Sequence, residues 1–190
     1  KLFADRLNIF ISTVFKKKQL LFLDCGCGLG FIAREYKKIS NNRVYYCDPS
    51  ESINKLHKKF YPDENFFQSD IQNLKKVNDK FDIIYLREVY PFTRDDNLEN
   101  QLKLIKILNH QLNNDGILIF EQIKNKNDLM NNLKKFNFNF KIYFLPPIRW
   151  QKFGFIKKLS FKSFYFQLFI RLIYIILGKK IAQFILIKKF

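Results

Sequence analysis

The stretch Leu21–Gly30, which reads LFLDCGCGLG, decides the fold of this 190-residue chain. The apolar run Leu20–Leu23 predicts a short buried strand that ends at Asp24. Three glycines at alternating positions follow, namely Gly26, Gly28 and Gly30, and the next eight residues have the pattern of a helix. Glycine turns between a strand and a helix bring backbone N–H groups close to a ligand. The stretch therefore predicts a ligand-binding turn in an α/β protein.

Strand and helix patterns alternate along the next hundred residues. Strands are predicted at 43–47, 65–68, 81–86 and 116–123, and helices at 51–60 and 95–111, with a turn at 113–116 before the fifth strand. Because these strands are nearly continuous runs of apolar residues between helices, they predict a parallel sheet covered on both faces.

The last third of the chain is ambiguous. Residues 128–136 have a helix pattern, and residues 161–177 form a longer amphipathic helix pattern. Three segments read as strands, 136–142, 155–161 and 181–187, and we favour the last of them as the final strand.

Acidic residues end three successive predicted strands: Asp24, Asp48 and Asp70. In open α/β sheets, ligands bind outside the carboxyl ends of the strands, where the strand order switches. The three acids and the glycine turn therefore indicate one ligand-binding crevice at the carboxyl ends of the strands.

The order Asp-x-Gly-x-Gly-x-Gly, with the acids that follow it, resembles the first motifs of class I S-adenosylmethionine (SAM) dependent methyltransferases. The resemblance covers residues 20–123, including a degenerate form of the family's entry to strand five at Leu112–Ile119. It implies a Rossmann-like, doubly wound, mostly parallel sheet of seven strands with the last strand antiparallel. The dinucleotide fingerprint G-x-G-x-x-G is the nearest alternative, but its third glycine falls on Phe31.

The resemblance implies SAM as cofactor and S-adenosylhomocysteine as product. Asp24 and the glycine turn are expected to hold the methionine part, Asp48 the ribose, and Asp70 with Ile71 the adenine. The cofactor-binding residues implied are Asp24, Cys25, Gly26, Gly28, Gly30, Asp48, Pro49, Asp70, Ile71, Leu86 and Arg87.

The acceptor side is expected in the segment after strand four. Many small-molecule methyltransferases have a histidine near position 92, where this chain has Phe, so the catalytic candidates are Glu88, Tyr90 and Arg94. Arg94 either clamps an anionic group or caps the following helix. His57 and His110 are interpreted as structural or solvent-facing.

Charge is distributed unevenly along the chain. The net charge is +17, and residues 129–190 contain thirteen Lys and Arg but neither Asp nor Glu. A surface of one sign attracts anions such as phosphorylated compounds, nucleic acid or anionic lipid. We expect a single domain over 1–190, with a cofactor-binding core at 1–123 and a basic, aromatic-rich acceptor or lid part at 124–190.

These features predict a methyltransferase for a small anionic acceptor, phosphorylated or carboxylated, such as a cell-surface glycan precursor or a specialised metabolite. The alternatives are a lipid-linked acceptor with the 161–177 helix at a membrane surface, a nucleic-acid acceptor, which the segment after strand four disfavours, and a non-catalytic SAM-binding subunit. The sequence contains no uninterrupted run of about 20 apolar residues, so it predicts no membrane-spanning helix. Three cysteines without metal-ligand spacing predict no metal site and favour the reducing cytoplasm.

Overall fold

The protein has a central sheet of seven strands in the order β3-β2-β1-β4-β5-β7-β6. A computed structural model describes residues 2–15, 19–74, 80–94, 97–121, 126–135, 138–145, 153–176 and 183–188. The strands are β1 Leu21–Cys25, β2 Arg43–Asp48, β3 Asn65–Gln68, β4 Phe81–Arg87, β5 Leu112–Glu121, β6 Phe140–Phe144 and β7 Gln183–Lys188. Strands β1 to β5 pair in parallel, whereas β7 lies antiparallel between β5 and β6.

Helices cover both faces of this sheet. They are α1 Leu2–Val14, α2 Phe31–Ile39, α3 Glu51–Phe60, α4 Leu98–His110, α5 Lys126–Lys135, α6 Gly154–Lys162 and α7 Phe164–Ile176. Because neighbouring side chains of a strand point to opposite faces, Phe22 packs with the cluster under α1 and α2, and Leu23 packs with the cluster under α4 and α5. The predicted doubly wound fold, with a final antiparallel strand, is confirmed.

Two local features differ from the sequence prediction. Helix α1 was not predicted. Residues 113–116, predicted as a turn, belong to β5, although the pairing with β4 passes from Leu112 opposite Phe81 directly to Ile117 opposite Ile83. The turn residues therefore form an irregularity inside a longer strand, and Asp115 has a positive φ of 21° there.

The C-terminal third resolves the competition between the strand candidates. The strand prediction for 155–161 is wrong, because these residues lie in α6 and Phe161 packs edge-on against Phe10 of α1 at 5.1 Å. The helix predicted at 161–177 is two helices separated at Ser163, whose Oγ accepts a hydrogen bond from the N–H of Phe166 at 3.3 Å. Residues 95–96, 122–123, 136–137, 177 and 181–182 of the predicted elements lie outside the described residues.

Candidate functional site

A cavity of about 420 Å³ opens at the carboxyl ends of the parallel strands, between the glycine turn, the residues after β3 and the segment after β4. The cavity is lined by six of the predicted cofactor-binding residues: Cys25, Gly26, Asp48, Pro49, Asp70 and Ile71. Glu88 and Tyr90, two of the three catalytic candidates, line its other side. The sheet thus brings residues from four strand ends to one concave site, as expected for this topology.

The glycine turn is held against β2 by its own backbone. The N–H groups of Gly26 and Cys27 both donate to the carbonyl of Cys47, at 2.9 and 3.0 Å. Gly26 has a φ of +73°, and a Cβ at this position would lie 2.7 Å from Cγ2 of Val89. Only glycine fits there without displacing the segment after β4, which closes the cavity.

Asp48 connects the turn to the beginning of α3. Its Oδ2 accepts from the N–H of Gly28 at 2.9 Å, and its Oδ1 accepts from the N–H of Ser50 at 3.0 Å. An ionised carboxylate has about four lone-pair positions. Asp48 can therefore hold the turn and still accept hydrogen bonds from a ligand in the cavity that it lines.

His57 supports the turn from behind, which the sequence did not reveal. Its Nε2 lies 3.0 Å from the carbonyl oxygen of Gly28, and a carbonyl only accepts, so this nitrogen carries the proton. Its Nδ1 then accepts from Nη2 of Arg34 at 3.3 Å. Burial lowers the pKa of His57 below the ordinary value of 6.5, which favours this neutral state. The structural interpretation of His57 is the correct one, because its side chain is buried.

Arg34 extends this support to the start of β3. Its Nε donates to both carboxylate oxygens of Glu64, at 3.0 and 2.9 Å, and the guanidinium lies 3.2 Å from the centre of the Tyr61 ring. Arg34 also donates to the carbonyl oxygen of Leu29. Two carbonyl groups of the glycine turn are therefore fixed by side chains from α2 and α3.

Asp24 is buried beside the turn, on the face covered by α1 and α2. Burial is the main cause that raises the pKa of its carboxyl from 3.8 to about 7, and the nearby charge of Asp48 raises it further, against the guanidinium groups of Arg87 and Arg34. A carboxyl group with a pKa near neutrality changes its charge readily when a charged ligand approaches.

A second polar cluster lies where β4 and β5 end, beneath α1. The hydroxyl of Tyr85 donates to Oε2 of Glu121 at 2.5 Å, and Arg6 of α1 forms a buried ion pair with Oε1 of the same carboxylate. Arg87 reaches Glu121 at 3.8 Å and Glu88 at 3.4 Å, which links the cluster to the cavity wall. The sequence does not predict that Arg6, Tyr85 and Glu121 form a cluster. The signal that could have pointed to it is Arg6, a single arginine among the apolar residues of α1.

The remaining predicted residues lie around the cavity or away from it. Gly28 and Gly30 belong to the turn and Asp24 to β1, but none of the three is among the lining residues, and neither is Arg87. Leu86 is buried in the core on the α4 side. Arg94 is exposed and outside the cavity lining, so its role stays a prediction. Glu88 has a φ of +56°, which is uncommon for a residue with a side chain and turns the chain at the cavity mouth.

Comparison with known families identifies the core. Residues 23–120 match the family described as "Methyltransferase domain", which is more than half of the chain. The chain belongs to this family, and the prediction of a class I SAM-dependent methyltransferase domain is confirmed.

Among curated proteins, the chain is 27% identical over 127 residues to the malonyl-[acyl-carrier protein] O-methyltransferase 1 of Ilyobacter polytropus. This alignment covers 65% of the chain and 44% of that relative, so the chain matches less than half of the relative's length.

Among solved structures, the fold is similar to the plantazolicin methyltransferase BpumL in complex with SAH, with a TM-score of 0.65 and 19% identity. That match covers 100% of this chain and 83% of the other. The ribosomal protein L11 methylase from Lactobacillus delbrueckii subsp. bulgaricus matches with a TM-score of 0.60 and 18% identity, over 98% and 77% of the two chains. At these identities the likeness concerns the fold.

Proposed function

We propose that the protein binds SAM in the cavity described above and transfers its methyl group to a small anionic acceptor. The observation that carries the proposal is the placement of Asp48 and Asp70 on one cavity wall beside the bare backbone of Gly26. Two carboxylates beside a glycine, which has no side chain to fill the space, suit a ligand that presents hydroxyl and amino groups. The family match and the SAH-bound structural relative support the same cofactor.

In this proposal the residues of the chain bind and orient, and they exclude water. Asp48 would accept from ribose hydroxyls, and Asp70, whose Oδ1 is held by Asn73 at 2.8 Å, would face the adenine with Ile71. Asp24 would balance positive charge at the methionine end. SAM supplies an activated methyl group, so the protein's main task is to align an acceptor with it in a dry site.

The acceptor is proposed to be anionic because of the positive charge of the C-terminal third of the chain, although the described lining of the cavity contains Asp48, Asp70 and Glu88 and neither Lys nor Arg. The partly exposed guanidinium of Arg87 is not among the lining residues but lies 3.4 Å from Glu88, which lines the cavity, and residues 129–190 contain no acid. The name of the curated relative indicates O-methylation of a malonyl group, which supports a carboxylated acceptor. A glycan precursor remains one candidate of this class.

Glu88 and Tyr90 are the proposed acceptor-side residues. Both line the cavity and are mostly exposed, and so they are accessible to an incoming molecule. Glu88 is placed to accept a proton from a hydroxyl acceptor, whereas a carboxylate or phosphate needs no general base. Replacement of Glu88 by Gln therefore distinguishes the two acceptor types: it abolishes turnover of a hydroxyl acceptor and leaves turnover of a carboxylate largely intact.

The test is methyl transfer from labelled SAM into an extract of the source cell, followed by separation into small molecules, lipids, proteins and nucleic acids. Label in the small-molecule fraction supports the proposal, and mass spectrometry of the product then identifies the acceptor and its charge, because methylation of a carboxylate yields a neutral ester. The Arg87→Ala variant is expected to lose most of this label. The matched control Arg43→Ala, at the amino end of β2, is expected to keep it.

Other outcomes identify the alternatives. Label in lipid or in nucleic acid would overturn the small-molecule acceptor while leaving methyl transfer established. Calorimetric binding of SAH without label in any fraction would indicate a non-catalytic SAM-binding subunit. Failure to bind SAH would overturn the cofactor proposal itself.

A further inference from the structure

Helix α7 presents a continuous apolar surface to solvent. Six large apolar side chains on this helix are between 45% and 81% exposed: Phe164, Leu168, Phe169, Leu172, Ile175 and Ile176. They recur at intervals of three and four residues, so they share one side of the helix, which we call the α7 face. Apolar surfaces of this size on soluble proteins usually mark a contact with a partner or a membrane.

The opposite side of α7 is fixed to the sheet, which determines where the α7 face points. Gln167 donates from Nε2 to the carbonyl of Phe144 at 3.0 Å and accepts from the N–H of Phe144 at 2.6 Å. Ile170 and Tyr174 are buried on this inner side. Rotation of the helix to bury the α7 face would break both hydrogen bonds and expose these two residues.

The charge of this region selects the occupant. Arg171 on α7 and Lys162 at the end of the preceding helix α6 are exposed cations, and the last 62 residues of the chain contain no Asp or Glu. A second copy docked through the same face would bring two strongly basic regions together, which is unfavourable. An anionic surface satisfies the charge and the apolar side chains at once.

The length of α7 determines how it would lie. Its 13 residues extend about 20 Å, which is shorter than the ~30 Å hydrocarbon core of a bilayer. In the described part of the chain, no helix is long and apolar enough to cross a membrane. The exposed ring of Tyr165, apolar with a polar tip, suits the boundary between headgroups and acyl chains.

We propose that the α7 face docks on an anionic lipid membrane, with α7 in the plane of the surface and Lys162 and Arg171 at the headgroups. The proposal is independent of methyl transfer.

The test is co-sedimentation of the full chain with vesicles of phosphatidylcholine alone and of phosphatidylcholine mixed with phosphatidylglycerol, without SAM. We expect binding to the mixed vesicles that weakens as salt is added. The Phe169→Ser, Leu172→Ser double variant is expected to bind at least about tenfold more weakly, because two large apolar side chains no longer enter the lipid. Arg171→Glu is expected to weaken binding about fivefold or more.

Matched controls separate docking from misfolding. Phe31→Ser removes an exposed aromatic side chain from α2, and Lys103→Glu reverses an exposed charge on α4, and both are expected to bind vesicles like the wild type. All variants should keep the circular dichroism spectrum and the SAH affinity of the wild type.

Absence of vesicle binding at low salt would overturn the proposal. It would also be overturned if the wild type bound both kinds of vesicle equally and the Arg171→Glu variant bound them as tightly as the wild type. A concentration-dependent dimer that the double variant abolishes, without vesicle binding, would show that a second copy covers the α7 face. Because SAH affinity is measured separately, each of these results leaves the proposed methyl transfer to be judged on its own.

Discussion

The glycine turn and the α7 face differ in how their side chains and backbone groups find partners. In the turn, backbone and side-chain polar groups are paired within the chain, and Asp48, His57 and Arg34 hold its peptide groups in place. On α7 the apolar side chains point outward, and the surrounding sequence carries charge of one sign. The turn is organised before a ligand arrives, whereas the α7 face is completed only by an external surface. Substitutions in the glycine turn should therefore lower the folding stability, whereas substitutions on the α7 face should weaken binding to the external surface.

The largest expected effect is that of Gly26→Ala. The variant combines a left-handed backbone, which costs about 1–2 kcal/mol with a side chain, with a contact to Val89 that costs about 1–3 kcal/mol. We expect the free energy of unfolding in urea to fall by about 3 kcal/mol. Gly28→Ala is the control, since its Cβ would meet nothing within 4 Å, and only the backbone cost should remain. Equal losses in the two variants would contradict this account.

Asp48→Asn should weaken the cofactor affinity and also the turn, because the single amide oxygen cannot replace both acceptors of the N–H groups of Gly28 and Ser50. The amide retains one acceptor oxygen but loses the charge-assisted hydrogen bonds, each worth about 1.5–3 kcal/mol, so SAH binding measured by calorimetry should weaken about thirtyfold. The exposed Asp63, replaced by Asn, provides the matched control and should leave the affinity unchanged. Unchanged SAH affinity in Asp48→Asn would exclude Asp48 from the cofactor site.

His57→Phe should destabilise the turn from behind. The variant leaves the carbonyl of Gly28 and one Arg34 donor without their partner, at a cost of about 1–3 kcal/mol in urea unfolding. His57→Gln, whose amide nitrogen can donate to Gly28, should recover part of the loss. If His57→Phe and His57→Gln had equal free energies of unfolding, the hydrogen bonds of the His57 ring would not contribute to stability.

The same histidine makes the folding stability depend on pH, and the direction of its pKa shift fixes the sign. Because the folded pKa of His57 lies below the unfolded value of 6.5, the unfolded chain takes up the proton first as pH falls. The contribution of His57 is therefore present above pH 6.5 and is lost as pH decreases through the folded pKa. Thermal unfolding between pH 5 and pH 8 should show this slope in the wild type and a weaker one in His57→Phe.

Asp24 should make the cofactor affinity depend on pH, with a change smaller than that expected for Asp48→Asn. With a pKa of about 7, Asp24 is mostly protonated at pH 6, so a cationic ligand that requires the carboxylate should bind about tenfold more weakly there than at pH 8. SAM affinity is expected to rise through pH 7 in the wild type and to stay flat in Asp24→Asn. For stability the sign is opposite: the raised pKa favours folding fully below 3.8, and this contribution is lost as pH rises through 7.

The smallest expected effect belongs to the α7 face. Ile175→Ser replaces a side chain that is 61% exposed, so the free energy of unfolding should change by less than about 0.5 kcal/mol. A loss above about 2 kcal/mol would show that the α7 face is covered within the folded chain and would remove the contrast with the glycine turn.

Local signals explain which parts of this molecule could be predicted. The strand, turn and helix around Gly26 and the cap of α3 at Ser50 are encoded within about ten residues, and they match the structure. The Arg6–Glu121 pair spans 115 positions in sequence, so no local pattern points to it. Residues 155–161 fit a strand in the sequence, but their apolar residues fit equally well a helix that buries Phe161.

The order of strands has a consequence for the synthesis of the chain. Strand β7 is inserted between β5 and β6, although it follows β6 by about forty residues. While the ribosome is still adding those residues, β6 lacks its neighbouring strand, and β6 and α7, which is hydrogen-bonded to Phe144, are held by packing such as that of Tyr143 on Phe10 of α1. A version of the chain that stops before residue 183 would therefore retain the glycine turn and its acids but hold the strand and helix that carry the apolar surface less firmly.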